Sequence, residues 1–198
     1  MTRDVADVAA QWELETRLVR GGLDRSANGE TSEALFLNSG FVYETAADAE
    51  ARFKGEQEGF VYSRYGNPTV AMFEERIAML EGAEDAFATA SGMAAVNGAL
   101  MSMLKAGDHL VSARALFGSC LYIVEDILPR FGVEVTLVDG ADLDQWRAAV
   151  RPDTKAVFFE SMSNPTLELV DIRAVSEIAH AQGALVVVDN VFSTPIFS

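Results

Sequence analysis

Residues 154–190 read TKAVFFESMSNPTLELVDIRAVSEIAHAQGALVVVDN, and this stretch decides the fold class. Ala156 to Phe159 and Leu185 to Val188 are apolar at every position, so neither run has a face suited to water; both read as strands covered on both sides. Between them Ile172, Val175, Ile178 and Ala179 recur at the spacing of one helix face. Strand, helix and strand in this order make a βαβ unit with parallel strands.

The same alternation extends toward the N-terminus. Ala86 to Ala90, His109 to Ala113 and Val133 to Val138 read as further buried strands, and Ala94 to Leu104, Leu121 to Phe131 and Leu143 to Val150 as helices. Ahead of them Val70, Phe73, Ile77 and Leu80 mark a helix that Gly82 closes. The expected product is an α/β domain, a mainly parallel sheet with helices on both faces, whose ligand sits at the carboxyl ends of the strands. Before about residue 60 the texture is irregular and charged: Glu13 to Val19 suggests a short helix, while Gly21-Gly22 and Asp24 to Ser32 read as loop. Residues 1–60 are therefore expected to be an N-terminal arm that contacts a partner subunit, and residues 61–198 the sheet-bearing domain.

Composition narrows the function. The 198 residues include 15 basic and 30 acidic ones, a net charge of −15, and 49% are hydrophobic. Such a chain has ample material for a core and the wrong sign of charge for nucleic acid. No apolar run approaches the roughly 18 residues of a membrane helix, and the start, Met1-Thr-Arg-Asp-Val-Ala-Asp-Val, is acidic rather than leader-like. A cytoplasmic location away from membranes is the expectation. The single cysteine, Cys120, has no partner for a disulfide within the chain, and His109 and His180 are too far apart in sequence to suggest a metal cluster.

Five segments carry candidate chemistry, each with a plainer alternative. Thr89-Ala-Ser91-Gly92-Met93-Ala-Ala95 opens a helix with a glycine and leaves free N–H groups, an anion site or simply a tight turn capped by Ser91. Neither GxxxxGK nor GxGxxG accompanies it, which leaves a smaller phosphate than a nucleotide's. Asp189 ends an apolar strand, where its charge needs a partner such as a protonated ring nitrogen; otherwise it is a turn aspartate. In Tyr62-Ser-Arg64-Tyr-Gly-Asn-Pro-Thr69 the arginine fork suits a phosphate, or is merely solvated beside a turn. Asn164, in Ser161-Met-Ser-Asn164-Pro-Thr166, offers an amide at a strand end or a plain Asn-Pro turn. Phe117 is either a stacking platform for a flat ligand or core. Cys120 reads as a small buried hydrophobe, and His109 as the start of a strand.

Taken in order, YSRYGNPT, ATASGMAA, SNPT and VVVDN resemble the Cys/Met-metabolism family of pyridoxal 5'-phosphate enzymes, from about Thr16 to the end of the chain. The resemblance implies the aspartate-aminotransferase-like fold (fold type I), here its large domain ended before the sheet is complete. It implies pyridoxal 5'-phosphate as cofactor: Gly92 and Met93 for the phosphate, Tyr62 and Arg64 reaching that phosphate from the neighbouring subunit, Phe117 stacked on the ring, Asn164 near the ring hydroxyl, and Asp189 on the pyridinium nitrogen. A homo-oligomer with shared sites follows from it, a dimer at least and by resemblance a tetramer.

Within the family, Phe117 and the segments Val19 to Ser26 and Glu30 to Leu37 are similar to the O-succinylhomoserine sulfhydrylase branch, which makes homocysteine from O-succinyl-L-homoserine and sulfide in methionine biosynthesis. O-acetylhomoserine sulfhydrylase and cystathionine γ-synthase are the alternatives, and a noncatalytic fragment or generic phosphate-binding module stands outside the enzyme class. The family's Schiff-base lysine lies beyond the VDN strand in a Ser-x-Thr-Lys context, which none of Lys54, Lys105 and Lys155 has. No catalytic residue can therefore be named here, and the chain is expected to be the N-terminal part of a longer one.

Overall fold

The computed structural model describes residues 11–197. The acidic start at Met1, the first ten residues of the expected arm, and Ser198 lie outside them. Two compact units are formed, one through Ala88 and the other from Thr89.

The second unit is built on a parallel sheet of β1 (His109–Ala113), β2 (Glu134–Val138), β3 (Thr154–Glu160) and β4 (Leu185–Asp189), in the order β2-β1-β3-β4. The central strands behave as their sequences dictate: every residue of β1 is buried, and Ala156 through Glu160 of β3 are buried too. The outer strands β2 and β4 are only half-buried, contrary to the expectation of fully covered strands, because each has a strand neighbour on one side only. Trp146 packs edge-on against Phe159, centroids 5.8 Å apart, and its indole N–H donates to the Gly140 carbonyl at 3.0 Å. A buried aromatic thus keeps its one polar group satisfied. With Leu100, Leu110, Val157 and Val175, all fully buried, this pair forms the core. Each such side chain contributes roughly 1.5–3 kcal/mol on leaving water.

Two expectations about the strands and helices need correction. Ala86 to Ala90 is not a buried strand: Phe87 is 85% exposed, and the segment pairs with no strand. The carboxylates of Asp85 and Glu74 take the N–H groups of Ala86 and Ala88, which a ladder would need. The helix expected over Leu121 to Phe131 is Gly118–Tyr122, then a π-helical turn Ile123–Ile127, then Leu128–Arg130. Pro129 lacks the N–H that an α-helix requires there, and the ladder widens to Leu128 N–H on the Ile123 carbonyl.

In the first unit Asn67 caps helix Pro68–Glu81, its side chain accepting from Thr69 N–H at 2.9 Å, and Gly82 closes it at φ +63°. Helix Leu14–Arg20 lies where Glu13 to Val19 suggested one. Helix Ala46–Phe53 was not foreseen; Thr45 and Asp48 form a reciprocal capping box at its start. The long Pro68–Glu81 helix holds the irregular segment by specific bonds. Arg76 donates to the Gly21 carbonyl at 2.9 Å and to the Glu33 carboxylate, and the Thr69 hydroxyl donates to the Ala34 carbonyl while accepting Phe36 N–H.

Candidate active site

The register of β3 and β4 pairs Glu160 with Asp189, which places two carboxylates side by side at the carboxyl edge of the sheet. There a cavity of about 620 Å³ opens, lined by Gly92, Met93, Phe117, Glu160, Asn164 and Asp189 together with apolar neighbours. All belong to the second unit. Parallel strands bring their C-terminal loops to one edge, so residues separated by almost a hundred positions meet.

On one wall helix Gly92–Met103 begins. Ser91 caps it, its hydroxyl accepting Ala94 N–H at 3.2 Å, and the Ser91 carbonyl takes Ala95 N–H. The amides of Gly92 and Met93 have no acceptor among the described residues, and no acidic side chain occupies the first turn. A Cβ on Gly92 would meet nothing within 4 Å, so the space before these donors is open. Two exposed amides at the positive end of a twelve-residue helix attract an anion. This turn follows an unpaired extended segment rather than the strand that the sequence suggested.

Phe117 precedes helix Gly118–Tyr122, and the residue is 43% exposed rather than packed in the core. Asp189 accepts Val191 N–H on Oδ1 at 3.1 Å, while Oδ2 lies 3.9 Å from the Cys120 thiol. No cation pairs with this carboxylate among the described residues. Cys120 is buried; burial, and then the charges of Asp189 and Glu160, push its thiol up to about 12, so it carries its proton and is a poor nucleophile.

Glu160 is the residue that the sequence analysis missed. It is 3% exposed, with one carboxylate oxygen accepting Phe117 N–H at 2.6 Å and the other accepting Asn164 N–H at 2.8 Å. Burial raises its pKa, and the two backbone donors oppose the rise. The signal was present: like Asp189, it is a carboxylate ending an apolar strand.

Tyr62 and Arg64 lie in the first unit and are not among the residues that line the cavity. The Arg64 guanidinium sits 5.4 Å from the Tyr62 ring and 4.9 Å from that of Tyr65, an exposed cation framed by two aromatic faces.

Comparison with known families matches residues 15–198 to the Cys/Met metabolism PLP-dependent enzyme family, PLP being pyridoxal 5'-phosphate. The chain belongs to that family. It is 60% identical over 178 residues to an O-succinylhomoserine sulfhydrylase of Mycobacterium tuberculosis, an alignment covering 90% of this chain and 44% of the relative. An O-succinylhomoserine sulfhydrylase of Pseudomonas aeruginosa is 55% identical over 182 residues, covering 92% and 45%. A solved Campylobacter jejuni chain, assigned as an O-acetylhomoserine (thiol)-lyase and containing N'-pyridoxyl-lysine-5'-monophosphate, superposes with a TM-score of 0.88 at 31% identity, covering 93% and 46%. The chain thus spans less than half the length of these relatives.

The groups in the cavity fit the family's cofactor. Two unpaired amides suit a phosphate, a partly exposed phenyl ring suits a flat heterocycle, and an unpaired carboxylate suits a protonated ring nitrogen. Lys54, Lys105 and Lys155 do not line the cavity, so none of the lysines in this chain is placed to bond that cofactor covalently there.

Proposed function

We propose that this chain is the cofactor-holding part of an O-succinyl-L-homoserine sulfhydrylase, which converts O-succinyl-L-homoserine and sulfide to L-homocysteine and succinate. The observation that carries the reading is the convergence, in one cavity, of free helix-terminal amides, a platform ring and an unpaired carboxylate. The 60% and 55% identities to sulfhydrylases of this substrate support the choice of acyl group.

Bound here, the cofactor supplies an electron sink for charge developing on the amino acid. Each residue then has a definable task. The amides of Gly92 and Met93 hold the phosphate, and Phe117 covers one ring face and excludes water from it. Asn164 donates toward the ring hydroxyl. Asp189 keeps the proton on the ring nitrogen by favouring the cationic form. Proton movement at the substrate's Cα and Cβ belongs to the family's lysine, a residue this chain does not place in the cavity. We further assign Tyr62 and Arg64 to the phosphate of a neighbouring subunit's site, in a cytoplasmic homo-oligomer of dimers. Among the described residues no helix is long and apolar enough to cross a membrane.

The test is an assay of the full-length enzyme with O-succinyl-L-homoserine and sulfide, quantifying homocysteine, beside an Asp189→Ala variant. The parent should form homocysteine, and the variant should lose at least about 100-fold in kcat/KM, some 3 kcal/mol of transition-state stabilisation. Faster turnover with O-acetyl-L-homoserine, or with cysteine in place of sulfide, would assign a sister activity. An Asp189→Ala variant within a few-fold of the parent would return that residue to a turn.

A further inference from the structure

Glu160 is a costly residue for a merely structural place. Its carboxylate is buried, and its oxygens fall with the Asp189 carboxylate and the Cys120 thiol in a cluster whose donor atoms lie within 4.8 Å of one another. Burial, and then the neighbouring Asp189 carboxylate, disfavour ionisation of Glu160 itself. A neutral or apolar side chain would avoid that conflict if β3 needed only a plug. What Glu160 does that such a side chain would not is bind two backbone N–H groups at once. Those groups belong to Phe117, after β1, and to Asn164, after β3. They lie 47 residues apart in sequence, and both segments face the cavity. Both oxygens are committed, which sets Glu160 apart from Asp189, whose Oδ2 meets only a thiol.

Resting on the cofactor reading above, we propose that Glu160 is a positioning residue: its carboxylate bridges the backbone at Phe117 and Asn164 and fixes the spacing at which the ring and the amide address the cofactor. Two charge-assisted bonds of 2.6 and 2.8 Å act as one rigid link between loops that have no backbone ladder between them. The role is indirect. Glu160 acts on the cofactor through the chain segments it holds, as outer partners orient the groups that make direct contact.

The experiment uses the full-length protein with Glu160→Gln and Glu160→Asp. Glutamine keeps one acceptor oxygen and sets an NH2 against the other backbone donor; aspartate keeps both oxygens but is one methylene short of spanning the gap. Pyridoxal 5'-phosphate affinity is read by fluorescence quenching, the orientation of the bound cofactor by its visible circular dichroism, and folding by thermal denaturation. Both variants should bind pyridoxal 5'-phosphate about tenfold more weakly, the effect of one buried donor left without an acceptor, and their visible dichroism should change in amplitude or sign. The two variants back each other up, since either one that folds gives the result. Lowered thermal stability with unchanged affinity and unchanged dichroism would overturn the proposal and leave Glu160 a packing residue. Failure of the parent itself to bind pyridoxal 5'-phosphate would sink the cofactor reading and this inference with it. Normal binding by parent and variants alike sinks the inference alone.

Discussion

The thiol of Cys120 lies 3.9 Å from Oδ2 of Asp189 and 4.0 Å from the sulfur of Met93. A cysteine on a short helix thereby lines the same cavity as the carboxylate and the helix start proposed to hold the cofactor. With its pKa pushed up to about 12, chiefly by burial, this thiol is almost wholly protonated near neutrality. The reactive thiolate is scarce at pH 8. Cys120 should therefore resist iodoacetamide in the folded protein and react once the protein is unfolded, as read by mass of its peptide. Ready alkylation of the native protein would mean that the site is open or the thiol is acidic.

His109 belongs to the opposite end of β1. It is 1% exposed, and its two ring nitrogens lie 2.9 Å from the hydroxyls of Thr154 and Thr136. Burial first, and then the nearby Arg151 charge, hold its pKa below the ordinary 6.5. The unfolded chain consequently takes up a proton near pH 6.5 that the folded chain refuses. Its contribution is complete above that pH and is lost as pH falls through 6.5 toward the lower folded value. Urea midpoints should decline as pH is lowered through 6.5. A His109→Gln variant, less stable at pH 8, should show a shallower decline across the same window; an identical slope would assign the acid sensitivity to other groups.

Much of this architecture was legible because local pattern and tertiary need agree. β1 occupies His109–Ala113 as read, and Gly82 ends its helix in the left-handed conformation. Where the pattern misled, a partner decided the outcome. Ala86 to Ala90 has the composition of a strand but no neighbour to pair with, and carboxylates take its N–H groups. Helix Ala46–Phe53 was missed because its apolar face, Ala46, Ala49 and Phe53, is short and mostly alanine, and the Thr45–Asp48 capping pair was the clearest mark of its start. The cavity's composition was largely readable, since Gly92, Phe117, Asn164 and Asp189 all follow from motifs at chain turns. Glu160 was passed over although it, too, is a carboxylate that ends an apolar strand, because the two backbone hydrogen bonds that give it importance leave no trace in side-chain spacing.

Gly22 and Gly29 separate two reasons for a glycine. Both adopt positive φ, +64° and +66°, but a Cβ at Gly22 would fall 2.6 Å from the Met72 carbonyl oxygen and 2.9 Å from Arg76 N, whereas at Gly29 it meets nothing within 4 Å. Gly29→Ala should cost only the backbone conformation, about 1 kcal/mol. Gly22→Ala adds a collision with the backbone of helix Pro68–Glu81 and should cost at least about 3 kcal/mol. Urea unfolding of the two variants checks the difference; equal losses would show that the segment beside Arg76 moves aside freely.

Arg64 offers the test of subunit sharing. Its guanidinium is framed by Tyr62 and Tyr65 and lies in the first unit, while Gly92, Met93 and Asp189 line a cavity built wholly from the second. A two-fold dimer exchanges such elements reciprocally, so that each site takes Arg64 from one chain and Asp189 from the other. Full-length Arg64→Ala and Asp189→Ala proteins should each be nearly inactive. Mixed and refolded in equal amounts, half the dimers are hybrids, and each hybrid has one site with both residues intact. About one quarter of parental activity should return. If Arg64 serves the cavity of its own chain, every hybrid site lacks one of the two residues and mixing restores nothing. Activity no higher than the average of the two variants, with hybrid dimers demonstrated by native mass spectrometry, would therefore place Arg64 in its own subunit's site or remove it from the site altogether.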